Sequence, residues 1–217
     1  YGGVVFARFP DPLRHGSGDA SRVLEEVEAI LERGAPNGDA IGAVIVEPVQ
    51  GRAGVRVPPD GFMAGLSALA RERGALVVAD EIFTGMGRCG ALYASERVGL
   101  EPDLVCLGKA LGGGLPLSAC VGRRQVMDAW PESGGESIHT STFLGHPLSC
   151  AAGLAVLDAL DGEGVPARAE ALGQALVEEL RARLAGTDGV AEVRGLGLMI
   201  GIELARGPEA EPVVGAG

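Results

Sequence analysis

The sequence predicts an α/β fold in which a mostly parallel central sheet is sandwiched by helices and is followed by part of a smaller α+β domain. Short apolar runs without polar alternation are typical of strands buried on both faces, as in a parallel sheet. Helical patterns separate these runs, which favours β–α–β connections. Polar residues gather where each predicted strand ends, the edge at which such sheets bind ligands.

The predicted elements alternate along the chain. The first helix covers residues 19–33, with apolar residues on one face, and ends at Gly34. A second helix is predicted over residues 62–73 and ends at Gly74. Four strands are predicted, in "IGAVIVEP", "LVVADE", "DLVCLGK" (103–109) and "LSACVG" (117–122).

The character of the sequence changes after about residue 147. A helix rich in small residues is followed by the strongly amphipathic "RAEALGQALVEELRARLAG", with leucines at spacings of four and a Glu179/Arg183 pair on its exposed side. These leucines are Leu172, Leu176, Leu180 and Leu184. Two short strands are predicted in "VAEVRGLGLMIGIEL". We therefore expect a large domain over residues 1–160 and part of a small C-terminal domain over residues 161–217.

Composition excludes several classes of function. The 217 residues are 47% hydrophobic, which supports a sizeable core. A net charge of -11 argues against nucleic acid or an anionic membrane as a partner, since both attract a basic surface. No apolar run approaches the roughly 20 residues that span a bilayer, and no signal-peptide pattern opens the chain. Because the sequence lacks an initiator Met, we expect that it begins inside a longer protein.

The cysteines and histidines predict no metal site. The four cysteines show neither CxxC nor metal-finger spacing, and the histidines show no metal-ligand spacing. Cys106 and Cys120 lie inside apolar runs, where we expect them to act as small buried hydrophobic residues. This use of cysteine favours a cytoplasmic location.

The acidic pair Asp80-Glu81, at the end of a predicted strand, suggests two different sites. One is a magnesium site for nucleotide hydrolysis, which requires an upstream GxxxxGK[ST] loop. The single Gly-Lys pair, Gly108-Lys109, lies downstream and is followed by Ala110. The magnesium hypothesis is therefore disfavoured.

The other site involves Lys109, at the end of the third predicted strand and before "ALGGGLP". A poorly solvated lysine there would be a nucleophile toward carbonyl compounds, although a lysine at a strand end can also be purely structural. Asp80 ends another strand of the same predicted sheet. An amine and a carboxylate facing one crevice are what pyridoxal phosphate requires, the first for a Schiff base and the second for the pyridine nitrogen.

The same stretches resemble a known family. "AVIVEPVQGRAGVRVPPDGF", "LVVADEIFTGMGRCG", "EPDLVCLGKALGGGLPLSACVG" and "HTSTFLGHPLSCAAGLAVL" are similar in content and order to the class III (ornithine/4-aminobutyrate/acetylornithine type) pyridoxal-phosphate aminotransferases. The resemblance implies the large domain of fold-type I pyridoxal-phosphate transferases with part of its small domain. It also implies pyridoxal 5'-phosphate as the cofactor and transfer of an amino group from an amine or amino acid to a 2-oxo acid.

The resemblance also assigns roles to residues. Lys109 would form the Schiff base and move the substrate proton, Asp80 would pair with the ring nitrogen, and Ile82 would pack on one ring face. Thr142 would reach the cofactor phosphate of a neighbouring subunit, which implies a homodimer with shared sites. Three further residues would lie on the substrate side: Glu47, Gln50 and Arg52. Glu81 is expected to be structural.

Some residues depart from the family pattern. Phe83 stands where many members have a Gln that bonds the cofactor, His146 stands where Asn is common, and Arg52 replaces a small or acidic residue. The phosphate-binding turn and the C-terminal carboxylate-binding arginine of the family are not found in this sequence, so we expect a central fragment. The alternatives left open are an aminomutase on the same fold and a truncated, non-catalytic fragment.

Overall fold

A computed structural model of the chain describes residues 3–130, 134–135 and 140–205. Its strands are β1 (Ala43–Val46), β2 (Leu76–Asp80), β3 (Leu104–Leu107), β4 (Ala119–Gly122), β5 (Val190–Leu196) and β6 (Met199–Leu204). Its helices are α1 (Pro12–His15), α2 (Asp19–Arg33), α3 (Phe62–Glu72), α4 (Ala94–Val98), α5 (Arg124–Met127), α6 (Pro147–Gly162) and α7 (Val165–Leu184). A 3₁₀ turn covers Lys109–Gly112.

The central sheet is mixed and mostly parallel, as the sequence predicts. Its strand order is β1-β2-β3-β4, in which the first two pairings are parallel and β4 runs antiparallel to β3. Helices α2 and α3 pack against β1 and β2, and the main core lies in this layer around Met63, Val23 and Val77. The carboxyl ends of β1, β2 and β3 therefore lie at one edge, where the predicted site residues follow them.

The second sheet is the antiparallel hairpin β5-β6. Leu196 pairs with Met199 across a two-residue turn in which Gly197 has a φ of +54°. Glycine at the first position of such a turn suits a type II′ hairpin. The hairpin packs against α7, so the two short strands predicted from the sequence are confirmed.

Helix α7 buries a different face from the one that its leucines suggest. Its buried residues are Ala169, Gly173 and Val177, whereas Leu172 and Leu176 are 53% and 45% exposed. The small residues face the hairpin because the backbones meet there: a Cβ on Gly173 would lie 1.9 Å from the carbonyl oxygen of Gly197. The predicted Glu179/Arg183 ion pair is present.

Within the described ranges, no helix is both long and apolar enough to cross a membrane. The predicted small domain extends to residue 217, but residues 206–217 lie outside the described residues. The boundary near residue 160 remains a prediction. It falls at the end of α6, before the helix that packs on the hairpin.

Candidate active site

Lys109 has an unusual backbone conformation. It follows β3 through the extended Gly108 and opens the 3₁₀ turn with a φ of +43°. Positive φ is uncommon and costly for a residue with a Cβ, and such strain is concentrated at functional sites. Two other described non-glycine residues, Val55 and Met86, also have positive φ, and all three line one cavity, so the strain marks this region on structural grounds.

The Lys109 side chain is exposed, so the expectation of a poorly solvated amine is wrong. The turn carries the side chain away from the strand and into a cavity open to solvent. There its Nζ lies 4.8 Å from the centre of the Phe83 ring, within the range of a cation–π interaction. Lys109 is also the single lysine of the 217-residue sequence, a signal that could have identified it from the sequence.

The cavity beside Lys109 has a volume of about 600 Å³. Among its described lining residues, only Lys109 and Arg88 are charged. The remaining lining residues are apolar side chains or glycines: Val55, Ile82, Phe83, Gly85, Met86, Gly87, Ala110, Val165, Ala169, Leu198, Met199 and Ile200. A smaller cavity of about 240 Å³ lies between α7 and the hairpin and contains none of the predicted site residues.

Arg194 of β5 fixes one wall of the larger cavity. Its guanidinium donates to the carbonyl oxygens of Gly54 (2.6 Å) and Val55 (2.9 Å). Val55 has a φ of +52°, an outlier for a β-branched residue. The two hydrogen bonds hold the strained turn in place. Neither Val55 nor Arg194 is predicted from the sequence, because the contact joins segments 139 residues apart.

Asp80 ends β2 opposite Cys106 of β3. Its carboxylate is half-buried, and its Oδ1 accepts a hydrogen bond from the Ile82 amide (3.1 Å). In the described part of the chain it has no ion-pair partner. Ile82 in turn packs on Gly108, where a Cβ would lie 3.3 Å from the Ile82 Cγ2. The structure thus places Ile82 and Lys109 in one cavity, whereas Asp80 does not line it.

Glu81 has a structural role, as expected. It is 1% exposed, and its carboxylate accepts hydrogen bonds from the Ser95 amide (2.7 Å) and hydroxyl (2.6 Å). The Ala94 amide (3.1 Å) and the Thr84 hydroxyl donate to the other oxygen. Glu81 therefore caps the first amides of α4 and joins this helix to the end of β2.

The predicted substrate-side residues lie in the turn after β1. The half-buried Glu47 accepts a hydrogen bond from the Gly51 amide (2.9 Å), and Gln50 exchanges two backbone hydrogen bonds with Arg56. Arg52 is exposed, and no partner for its guanidinium is found among the described residues. None of these three side chains lines the cavity; Val55, just beyond them, does.

Thr142 and His146 lie before α6. Thr142 is exposed in the turn that leads into the helix and does not line the Lys109 cavity. His146 is the N-cap of α6, where its Nδ1 accepts a hydrogen bond from the Ser149 amide (3.4 Å). Asparagine is also a good N-cap. The departure at position 146 therefore preserves a helix cap.

The residues present fit pyridoxal phosphate in their chemistry. The cavity offers an exposed amine that can react with an aldehyde, beside an apolar side chain, Ile82, that can cover a ring face. Asp80 is a half-buried carboxylate on the neighbouring strand and can pair with a protonated ring nitrogen. Among the described residues no group of three or more His, Cys, Asp or Glu could hold a metal ion.

Comparison with known proteins agrees with this chemistry. The family model for class III aminotransferases matches residues 1–216. The chain belongs to this family. Class III aminotransferases are pyridoxal-phosphate-dependent enzymes of fold-type I.

Two curated relatives are acetylornithine aminotransferases. The one from Methanothermobacter thermautotrophicus is 44% identical over 77% of this chain and 42% of its own length. The one from Methanopyrus kandleri is 46% identical over 76% of this chain and 41% of its own length. The chain thus spans about two-fifths of the length of these relatives.

Solved structures show the same fold. A thermostable (S)-enantioselective omega-transaminase from Thermomicrobium roseum superposes with a TM-score of 0.85 at 36% identity, over 93% of this chain and 46% of that one. The ornithine delta-aminotransferase of Plasmodium falciparum superposes with a TM-score of 0.74 at 40% identity, over 83% of this chain and 45% of that one.

Proposed function

We propose that the protein is a pyridoxal-phosphate-dependent transaminase that moves an amino group from an amine or amino acid to a 2-oxo acid, with Lys109 as its central residue. The observation that supports this most strongly is the position of the single lysine, strained at a strand end and exposed in a cavity. The similarity to named aminotransferases favours transamination over the aminomutase alternative.

Each residue then has a defined task. The Lys109 amine would hold the cofactor and, once released, would accept a proton at Nζ from the substrate and return it. The Asp80 carboxylate would pair with the ring nitrogen, and Ile82 would cover one ring face. When bound, the cofactor supplies the electron sink that stabilises the deprotonated substrate carbon.

The electrostatics of the cavity suit an acidic substrate. Because the Lys109 amine would be occupied by the cofactor, Arg88 is the cation of the described lining that would meet a substrate, and the remaining wall is apolar. No ion pair of Arg88 is found in the described part of the chain. The cavity therefore favours a substrate that combines a carboxylate with an apolar body. Given the names of the similar proteins, N-acetylornithine, ornithine and an apolar ω-amine are the donors to compare.

Several finer points belong to the same proposal. Glu47, Gln50 and Arg52 would approach the substrate side from the turn after β1. Thr142, exposed before α6, would reach the phosphate bound to a second copy of the protein, so the functional unit would be a homodimer. We place the protein in the cytoplasm.

The assignment of Lys109 can be tested by fixing the cofactor chemically. The chain is incubated with pyridoxal phosphate, reduced with borohydride and digested with trypsin. We expect one cofactor on the peptide that covers residues 98–123, because modified Lys109 resists cleavage. Lys109→Ala should lose this label and lower amino transfer by about 10²–10⁴-fold. Since no other lysine exists, the N-terminal amine is the one competing target, and its peptide maps separately. A label found only there would refute the proposal.

A further inference from the structure

The turn at Gly54-Val55 is held against one cross-strand pair of the β5-β6 hairpin. Arg194 of β5 and Gly201 of β6 are direct partners in the hairpin register. A Cβ on Gly201 would lie 2.9 Å from the Cβ of Val55, so the Val55 side chain packs on bare backbone at this point. The Arg194 guanidinium donates to the carbonyl oxygens of Gly54 and Val55. One arginine–glycine pair thus supplies both the contact surface and the hydrogen bonds for this turn.

The Arg194 guanidinium is itself held in a fixed orientation. Its side chain is 12% exposed and forms ion pairs with Glu192 and Glu203. Glu203 also pairs with Arg14 of α1. A guanidinium is planar and presents its N–H groups in a rigid fork, so two carboxylates and two carbonyl oxygens together determine its direction. Arg194 therefore presents its remaining donors to the turn in one arrangement.

The loop that contains this turn reaches the residues around Lys109. It covers residues 50–56 and is closed by two backbone hydrogen bonds between its first and last residues. A Cβ on Gly51 would lie 3.3 Å from the Phe83 ring, and the centre of this ring lies 4.8 Å from the Lys109 Nζ. Val55 lines the Lys109 cavity. A shift of the 50–56 loop would therefore move one wall of the cavity.

We propose that Arg194 is a positioning residue for substrate binding: it fixes the 50–56 loop in the conformation that forms the cavity wall, although its own side chain does not line the cavity. The identity of the ligand as a substrate rests on the proposed transaminase function. Positive φ is unfavourable for the β-branched Val55, so without the two hydrogen bonds the turn relaxes to other conformations. A substrate must then reorder the loop when it binds, which weakens binding and leaves the chemistry at Lys109 unchanged.

Limited digestion with trypsin measures the loop without cofactor or substrate. Arg52 is exposed but lies inside the closed loop, so cleavage after it requires local opening. Arg194→Gln removes the charged fork that holds the turn, and we expect cleavage after Arg52 to become about 10–100-fold faster. Arg194→Lys keeps one charged donor but not the fork, so its cleavage rate should fall between those of Arg194→Gln and the unchanged chain.

Two controls separate release of the loop from general destabilisation. Arg181→Gln removes a guanidinium that donates to the Val193 carbonyl (2.9 Å), a contact of the same kind between α7 and β5. It should leave the rate of cleavage after Arg52 within about threefold of that in the unchanged chain. Cleavage after Arg71, inside α3, reports unfolding of the main core in the same digest and should stay slow in every variant.

Steady-state kinetics of amino transfer give the functional readout. For Arg194→Gln we expect the KM for the amino donor to rise about tenfold or more while kcat stays within about threefold, because neither Lys109 nor Asp80 is altered. The borohydride-fixed cofactor on Lys109 should be retained in this variant.

Three results would overturn the proposal. These are cleavage after Arg52 that is no faster in Arg194→Gln than in the unchanged chain, an equal acceleration in Arg181→Gln or after Arg71, and a loss of kcat without a rise in KM. If the unchanged chain transfers no amino group and takes no label on Lys109, the proposed transaminase function fails instead. The digestion still decides in that case whether Arg194 positions the loop.

Discussion

The contact between α7 and the β5-β6 turn gives a sharp prediction for Gly173→Ala. A Cβ at this position would lie 1.9 Å from the carbonyl oxygen of Gly197 and 2.2 Å from its carbonyl carbon. Carbon and oxygen atoms in contact normally lie about 3.5 Å apart, so helix and turn must separate by more than about 1 Å. The substitution therefore forces a backbone shift.

The turn cannot retreat easily. A Cβ on Gly197 would lie 2.5 Å from the backbone of Cys89, and the Leu198 amide donates to the Arg88 carbonyl (2.9 Å). In a helix, alanine is about 1 kcal/mol more favourable than glycine. Against this gain, the overpacking costs about 1–3 kcal/mol, and moving α7 away from the hairpin also exposes the buried Val177 side chain. We expect a net loss of about 2–3 kcal/mol in the free energy of unfolding.

Urea unfolding followed by far-UV circular dichroism measures this loss. Gly162→Ala, at the end of α6, is the matched control, because a Cβ there meets no atom within 4 Å. It should leave the free energy of unfolding unchanged or raise it by up to about 1 kcal/mol. If Gly173→Ala were as stable as the unchanged chain, the close approach of helix and turn would be refuted.

Two further predictions concern carboxylates. Glu81→Gln should lower the free energy of unfolding by about 2–4 kcal/mol, because the new side-chain NH2 group would face N–H donors that now donate to the buried Glu81 carboxylate. Glu96→Gln is the control: this exposed carboxylate accepts a hydrogen bond from the Tyr93 amide, and its replacement should cost under about 1 kcal/mol in the same urea assay. The Arg194 guanidinium holds the pKa of Glu203 in the folded chain below its usual range. The ion pair therefore stabilises the folded state at any pH above the pKa that Glu203 has in the unfolded chain. This stabilisation is lost as the pH falls through the lower pKa of Glu203 in the folded chain. The stability difference between the unchanged chain and Glu203→Gln should accordingly be about 1–3 kcal/mol at pH 7 and shrink as pH falls below the pKa of the unfolded carboxyl group. A difference that is constant with pH would contradict this prediction.

The sequence predicts the main helices and all six strands because each has its own apolar period or run. It predicts the wrong buried face for α7, since leucine spacing reports amphipathicity but not which face meets another backbone. The buried face of α7 consists of Ala169, Gly173 and Val177, because the Gly197 backbone can approach the helix closely only beside a residue without a side chain, Gly173.

The candidate site is predictable in its chemistry but not in its surroundings. Strand-end position and residue type predict Lys109 and Asp80 as candidates. They do not separate Asp80 from the adjacent Glu81; the family resemblance makes that distinction, and the structure shows that the Glu81 carboxylate is used by α4. The cavity wall at Val55 depends on Arg194, far away in the sequence, and on a positive φ that no local pattern indicates. Cys120 is exposed on β4 in this structure, so the expectation that it is a small buried hydrophobic residue is wrong here.

The single lysine also determines how the surface carries its charge. Of eighteen basic side chains, all but Lys109 are arginines. Guanidinium groups stay protonated well above neutral pH, so the positive surface charge is almost constant through the alkaline range. Amine-directed acylating reagents, which modify many sites on most proteins, have one side-chain target here. A colorimetric amine assay, corrected for the N-terminal amine by parallel measurement of Lys109→Ala, therefore reports on access to the cavity.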